Sequence, residues 1–145
     1  MNKNELKNML KDKDIQVTKT RIQILNIITK RNKPLTATEI NDIIEKNGLN
    51  IRLSTIYRNL KFFTHNNILR QLNFYGDEKR YEILEENHHQ HLICIKCGEI
   101  KAIKCPLANF EKQIEKETKY KIKNHDMEMY GICPDCQKNS FNNLK

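Results

Sequence analysis

No stretch of this sequence approaches the ~20 consecutive apolar residues that a membrane-spanning helix requires, and the opening MNKNELKNML lacks the apolar centre of a secretory signal. Both absences lead to the expectation of a cytoplasmic protein with no membrane partner. Cysteine is missing from the first 84 residues; all five cysteines follow that point. In a reducing compartment, cysteines at short regular spacing bind metal more often than they form disulfides. Catalytic signatures are missing too. No His-Glu-x-x-His occurs, nor the His-x-Glu that accompanies Pro-Cys-x-x-Cys in zinc deaminases. A hydrolytic zinc enzyme would need a water-bearing metal beside a general base. Without such a constellation the expectation is that the protein is not an enzyme.

At 145 residues the chain can form one domain or two small ones. Its charge is uneven. Residues 1–84 carry sixteen Lys/Arg against nine Asp/Glu, and residues 85–145 carry ten against nine. A formal +7 in one part and metal-type ligands in the other suggest two tasks, the first involving a polyanion. The bland alternative is a basic surface that keeps a Lys/Asn-rich chain in solution.

The first part reads as a winged helix. Leu6, Met9 and Leu10 mark a short amphipathic helix, and Thr18 can cap a second, whose stripe is Ile22, Ile24, Leu25, Ile27 and Ile28. A third starts at Thr36, with Glu39 three residues on as in a capping box; Leu35 and Ile40 stand where a hydrophobic staple places them. Gly48 supplies its stop. A fourth helix is predicted from about Ser54 to Asn66. There Ile56, Leu60 and Phe63 share one face, and Ser54, Tyr57, Arg58 and Lys61 project from the other. Hydroxyls, a guanidinium able to fork onto guanine and a lysine are what a major-groove helix uses, although solvated helix faces carry the same residue types. LRQLNF and KRYEIL around Tyr75-Gly76-Asp77-Glu78 read as a hairpin, the wing.

The second part reads as a zinc-stapled unit. Cys94-Ile95-Lys96-Cys97-Gly98 and Cys133-Pro134-Asp135-Cys136 are two Cys-x-x-Cys pairs separated by thirty-five residues. Four thiolates complete a closed tetrahedral site, which is structural rather than catalytic; a redox motif would need only one pair. A unit of about sixty residues buries little core and usually needs such a staple. Between the pairs, Pro106 is expected to start a helix with Leu107, Phe110 and Ile114 facing inward. Tyr120 to Ile132 is expected to be one long strand with a bulge near His125. The resulting α/β unit has a sheet edge able to pair with a second copy, and residues 138–145 are expected to fray. The predicted fold class is thus mixed α/β (α+β): a winged-helix DNA-binding domain over residues 1–84 and a dimerisation and metal-binding domain over residues 85–145.

Glu82 ends the wing, and His88, His89 and His91 follow just before the first cysteine pair. In a strand, His89 and His91 share a face and His88 points to the other. With Glu82, this is a mixed N/O ligand set suited to Zn²⁺, Fe²⁺ or Mn²⁺; the alternative is a solvated polar linker. Ligands between the two parts could fix one against the other.

With these residues in view, the sequence resembles the ferric uptake regulator family over nearly its whole length. The likeness rests on Ser54-Thr55-Ile56-Tyr57-Arg58-Asn59-Leu60, on His88-His89-Gln90-His91-Leu92-Ile93-Cys94-Ile95-Lys96-Cys97-Gly98, on Asn124-His125-Asp126, and on Tyr130-Gly131-Ile132-Cys133-Pro134-Asp135-Cys136. The resemblance implies a homodimeric repressor that binds a palindromic double-stranded operator when loaded with metal. It implies that Cys94, Cys97, Cys133 and Cys136 hold structural Zn²⁺. It also implies that Glu82, His89 and His91 form the sensing site for a second divalent ion, Fe²⁺ or Zn²⁺, and that His88 and His125 belong to a further site. Ser54, Thr55, Tyr57, Arg58 and Lys61 would face DNA.

The chain departs from the family pattern at several points. Pro34 or Lys33 stands where many members have a hinge histidine, Ala102 where a carboxylate is usual, and Gln90 where Asp is frequent. The acidic partner expected near Asn109 is either shifted to Glu111 or absent. These departures count most against a peroxide-responsive member. Cys105, in Lys104-Cys105-Pro106, is a candidate replacement ligand that would favour Zn²⁺ over Fe²⁺, or else a small residue at a helix start. If the only metal is structural, the alternative is a constitutive DNA-binding adaptor.

Overall fold

The computed structural model describes residues 1–74, 78–84, 89–123 and 125–142. Its chain divides into two compact units, Met1–Glu85 and Glu86–Lys145.

In the first unit, α1 (Lys3–Asp12) begins at Asn2, whose side chain accepts from the backbone of Asn4 and Glu5 while Glu5 reaches back to the Asn2 N–H. Thr18 caps α2 (Lys19–Thr29) by accepting from the Arg21 N–H at 3.2 Å. The predicted capping box of α3 (Ala37–Lys46) is present in both directions. Thr36 Oγ1 accepts from the Glu39 N–H at 3.0 Å, and Glu39 Oε2 accepts from the Thr36 N–H at 2.9 Å. Such caps satisfy N–H groups that the helix itself cannot. Helix α3 stops at Gly48, whose φ of +69° lets the Gly48 and Leu49 N–H groups turn back onto Glu45 and Ile44 carbonyls.

Helix α4 runs Leu53–His65 with Arg52 at its N-cap and no side-chain cap, so Ser54 lies inside its first turn rather than at its start. Two strands follow, β2 (Leu69–Leu72) and β3 (Arg80–Ile83), paired antiparallel with Leu69 opposite Ile83 and Leu72 opposite Arg80. The expected turn at residues 75–77 lies outside the described residues. A short strand not expected from the sequence, β1 (Leu35–Thr36), pairs antiparallel with β3 and makes the sheet three-stranded in the order β1-β3-β2. Leu35 was read only as half of a staple; its burial is also explained by lying opposite Tyr81 in the sheet. Arg80 Nη1 ties β3 to the α3 cap through Glu39 Oε2 at 2.9 Å and the Pro34 carbonyl at 3.2 Å.

The core of this unit is continuous. Leu6, Leu10, Ile24, Leu25, Ile40, Ile44, Ile56, Leu60 and Phe63 are all fully buried. Each such side chain contributes about 1.5–3 kcal/mol by leaving water.

The second unit is smaller and differently held. Strand β4 (His89–Cys94) turns at the first cysteine pair into antiparallel β5 (Ile100–Lys104); after α5 (Ala108–Thr118), β6 (Glu128–Gly131) runs parallel to β4, giving the order β5-β4-β6. A parallel neighbour needs a crossover, which α5 supplies. Helix α6 (Pro134–Asn142) follows the second cysteine pair.

Three sequence-based expectations are corrected here. Phe110 does not face inward; it is 53% exposed, because helical spacing places a residue on a face without supplying what covers it. The long strand over residues 120–132 is reduced to β6. Before it, side chains take the place of ladder partners: Glu115 Oε1 accepts from the Ile122 N–H at 2.8 Å, and Gln90 Oε1 from the Met127 N–H at 3.0 Å. The segment after the second pair is helical as far as Asn142 rather than frayed from Lys138, since Cys133 and Pro134 start a helix there.

Candidate metal centres and nucleic-acid interface

Helix α4 separates its residues cleanly. Ile56, Leu60 and Phe63 are fully buried, whereas Ser54, Tyr57, Arg58 and Lys61 are exposed, and Thr55 is half-buried. Four and three-residue spacing puts the buried set on one stripe, and that stripe orients everything else outward. Beside it lies a cleft of about 270 Å³ between the start of α2 and α4, lined by Thr18, Thr20, Arg21, Thr55 and Arg58 among others. Arg21 is held there by the Gln16 carbonyl at 2.6 Å and by the Phe62 ring, 4.3 Å from its guanidinium carbon. Sequence reasoning missed this cleft; Thr18-x-Thr20-Arg21 at a helix start was its available signal.

The four predicted zinc cysteines converge. Their sulfurs all lie within 4.8 Å of one another, with Cys97 Sγ 3.7 Å from Cys133 Sγ. Tetrahedral zinc with ~2.3 Å bonds sets sulfur–sulfur edges of about 3.8 Å, so the cluster fits that ion. Local backbone builds the cluster. Gly98 takes φ +73° and donates its N–H to the Cys94 carbonyl at 2.9 Å, closing the first knuckle. Cys133 precedes the first turn of α6, where its sulfur accepts from the Cys136 N–H at 3.5 Å. The Cys133 N–H donates in turn to Cys94 Sγ at 3.3 Å. That last bond, with help from the Cys97 backbone, brings Cys94 down to about 6. The Cys133 sulfur, followed by Cys97, pushes Cys136 up to about 12. Thiols crowded in this way share protons until a cation displaces them.

Glu82 belongs to the first unit, on β3, and is 9% exposed. His89 and His91 belong to the second. They lie on one face of β4, with ring centroids 5.0 Å apart and His91 only 2% exposed. His88 lies outside the described residues. Across the ladder His91 faces Ala102 and His89 faces Lys104, so β5 offers the pair no carboxylate.

His125, Cys105 and Glu111 form a separate chain of contacts. Glu111 Oε1 bonds His125 Nδ1, and His125 Nε2 lies 3.0 Å from Cys105 Sγ. Glu111 raises the His125 pKa above its ordinary value, against a smaller lowering by burial. Burial pushes the Cys105 thiol up, but the Leu107 backbone N–H and His125 outweigh it and the net shift is downward. Both ring nitrogens of His125 are thus engaged, one by Glu111 and one by Cys105. Cys105 and His125 join no group of three clustered ligand atoms among the described residues.

Comparison with known proteins agrees with this architecture. The description "Ferric uptake regulator family" matches residues 12–130. The chain is 35% identical over 130 residues to the ferric uptake regulation protein of Neisseria gonorrhoeae, covering 88% of this chain and 90% of that one. It is 32% identical over 129 residues to the peroxide-responsive repressor PerR of Staphylococcus aureus, covering 88% and 86%. Among solved structures it superposes on the Helicobacter pylori ferric uptake regulator, described as having three functional metal binding sites, with a TM-score of 0.78 at 29% identity, over 92% of this chain and 90% of that chain. A family match over most of the chain, a winged helix and a four-cysteine cluster lead to one conclusion: the chain belongs to the ferric uptake regulator family.

Proposed function

We propose that this protein is a metal-dependent, homodimeric transcriptional repressor that inserts α4 into the major groove of a palindromic operator controlling metal-uptake or metal-homeostasis genes. Members of the family are metal-responsive transcription regulators and not enzymes, which sets aside the hydrolytic reading. The observation that carries the proposal is the outward face of α4, with Ser54, Tyr57, Arg58 and Lys61 exposed over a fully buried Ile56-Leu60-Phe63 stripe. Lysine and arginine on such a face meet phosphate and guanine edges. The formal +7 of the first 84 residues draws the helix toward DNA.

Dimerisation is assigned to the second unit, where Phe110, Tyr120, Tyr130 and Ile132 are 38–77% exposed. That much exposed apolar surface on a unit of this size suits a second copy. Zn²⁺ at the four cysteines supplies a structural cross-link there. The sensed ion, Fe²⁺ or Zn²⁺, is assigned to Glu82, His89 and His91. It must bind the DNA-competent arrangement more tightly than the other, or it shifts nothing. No helix among the described residues is long and apolar enough to cross a membrane, in keeping with a cytoplasmic site of action.

A second reading, a DNA-binding adaptor with structural zinc alone, is favoured by one observation: Ala102 faces His91 where a carboxylate would complete the ligand set.

Replacing Arg58 with Ala tests the interface in both readings. Operator affinity measured by fluorescence anisotropy should fall by about 1–3 kcal/mol with relaxed base preference if Arg58 reads guanine; if it holds a phosphate, the salt slope should shrink by about one. Zinc content should not change. Unaltered binding in both Arg58→Ala and Tyr57→Ala would remove α4 from the interface.

A further inference from the structure

The cleft of about 270 Å³ beside α4 is lined by two guanidiniums and no carboxylate. Thr55, Arg58 and Phe62 recur at three and four residues, so they form one stripe of α4, next to the outward stripe of Ser54, Tyr57 and Lys61. Thr18, Thr20 and Arg21, from the cap and first turn of α2, make the opposite wall. Neither Arg21 nor Arg58 has an ion-pair partner among the described residues. Arg21 is also set in place before any ligand arrives. Its Nη1 donates to the Gln16 carbonyl at 2.6 Å, and its guanidinium carbon lies 4.3 Å from the centre of the Phe62 ring. Stacking engages the flat face of a guanidinium and leaves N–H groups at its edge for an oxyanion. Thr18 Oγ1 accepts from the Arg21 N–H at 3.2 Å, which still leaves its hydroxyl hydrogen to donate, and Thr20 and Thr55 bring two more hydroxyls. The volume has room for one phosphate group with waters around it. Donors and positive charge without an acid are the chemistry of a phosphate seat.

We propose that this cleft holds one backbone phosphate of the bound duplex, with Arg21 as its forked ligand and the Thr20 and Thr55 hydroxyls as further donors. The seat, which rests on the assignment of α4 to the major groove, adds an anchor outside that helix. Backbone phosphates flank a helix lying in the groove, and they are met whatever the base sequence. A guanidinium already fixed by Phe62 and Gln16 therefore sets the depth and register at which α4 enters. Arg58, exposed at the rim of the cleft, is left to reach base edges.

The test measures affinity by anisotropy at several salt concentrations, using the full-length, zinc-loaded protein under conditions that support operator binding. Duplex from the protein's own promoter is compared with an unrelated duplex of equal length. Arg21→Gln should weaken binding to both by the same factor and lower the salt slope by about one. Between roughly 50 and 200 mM salt, the wild type should thus lose about threefold more affinity than the variant loses. Arg21→Lys keeps the charge without the fork, so it should keep the wild-type slope and lose part of the affinity. A folded Arg21→Gln protein with wild-type affinity and slope would overturn the seat; if Arg58→Ala still weakened binding, the assignment of α4 would survive, and if it did not, both would fall. Loss on the promoter duplex alone would also overturn the seat, because a phosphate contact carries no sequence. Should Arg21→Gln fail to fold, Arg21→Lys decides, and unchanged affinity for both duplexes counts against the proposal. Inorganic phosphate, titrated at fixed ionic strength and followed by NMR, tests the other source of the same chemistry. Saturable shifts at Arg21, with DNA binding unchanged in Arg21→Gln, would assign the cleft to a free anion instead of DNA.

Discussion

The two units of this chain are held together by different physics. In the first, apolar side chains from four helices and a small sheet meet in one core, and nine of them are excluded from water altogether. In the second, among the described residues, the buried apolar ones are Ile93, Cys94 and Ile100, and the other buried side chains, Gln90 and His91, are polar. A sheet of three short strands with so little beneath it lacks the hydrophobic contribution that a unit of this size needs. The four-cysteine cluster supplies what is missing by joining the β4-β5 knuckle to the start of α6. Burial therefore explains the first unit and cross-linking the second, and a metal-responsive regulator profits from that division. Under the proposed function, the half assigned to DNA would fold without metal, while the half assigned to dimerisation would depend on it.

Removing zinc should separate the two most sharply. Structural zinc in small domains is worth about 10–16 kcal/mol of folding free energy. A strong chelator, or Cys94→Ser with Cys136→Ser, should unfold the second unit and abolish the dimer. Hydrogen exchange should still find protected amides in α2, α3 and α4. Equal loss of protection in both units would mean that the division is not real.

Truncating the first core should give the converse result at a smaller scale. Phe63→Ala should cost about 3–5 kcal/mol of that unit's stability in denaturant titration, with one zinc per chain retained. Smaller again is the capping box. Thr36→Ala removes the acceptor for the Glu39 N–H and should cost about 1 kcal/mol. Part of that loss should be recovered by Thr36→Ser, which restores the acceptor; no recovery would mean that the Thr36 methyl, buried beside the sheet, matters more than its oxygen.

The same contrast explains what could be read from the sequence. Helices α1 to α4 were legible because 3.6-residue apolar spacing is a local signal, sharpened for α2 and α3 by Thr18, Thr36 and Gly48, which each act within a few residues. The four cysteines were legible because Cys-x-x-Cys spacing is itself the geometry of a knuckle. Elements that depend on distant partners were not. Strand β1 is two residues long and exists only by pairing with β3. The segment before β6 alternates like a strand, yet its N–H groups go to Glu115 and Gln90 side chains. Phe110 looked like core because its spacing is helical, but spacing gives a face and not what covers it. The role of Cys105 was open in the sequence for the same reason. Its partners are His125 and Gln90, twenty and fifteen residues away.

The central claim is that a second metal, held by Glu82, His89 and His91, switches DNA binding in a protein already loaded with structural zinc. Anisotropy on DNA from the protein's own promoter tests it most directly, comparing the wild type with the His89→Ala/His91→Ala double variant, both loaded with structural zinc. Buffered Zn²⁺, anaerobic Fe²⁺ and Mn²⁺ would be titrated separately. The account predicts that one ion raises wild-type affinity at least about tenfold, equivalent to about 1.4 kcal/mol, and that the variant remains folded and zinc-loaded but no longer responds. Tight binding by both proteins without any added ion would contradict it and leave the constitutive adaptor as the better reading.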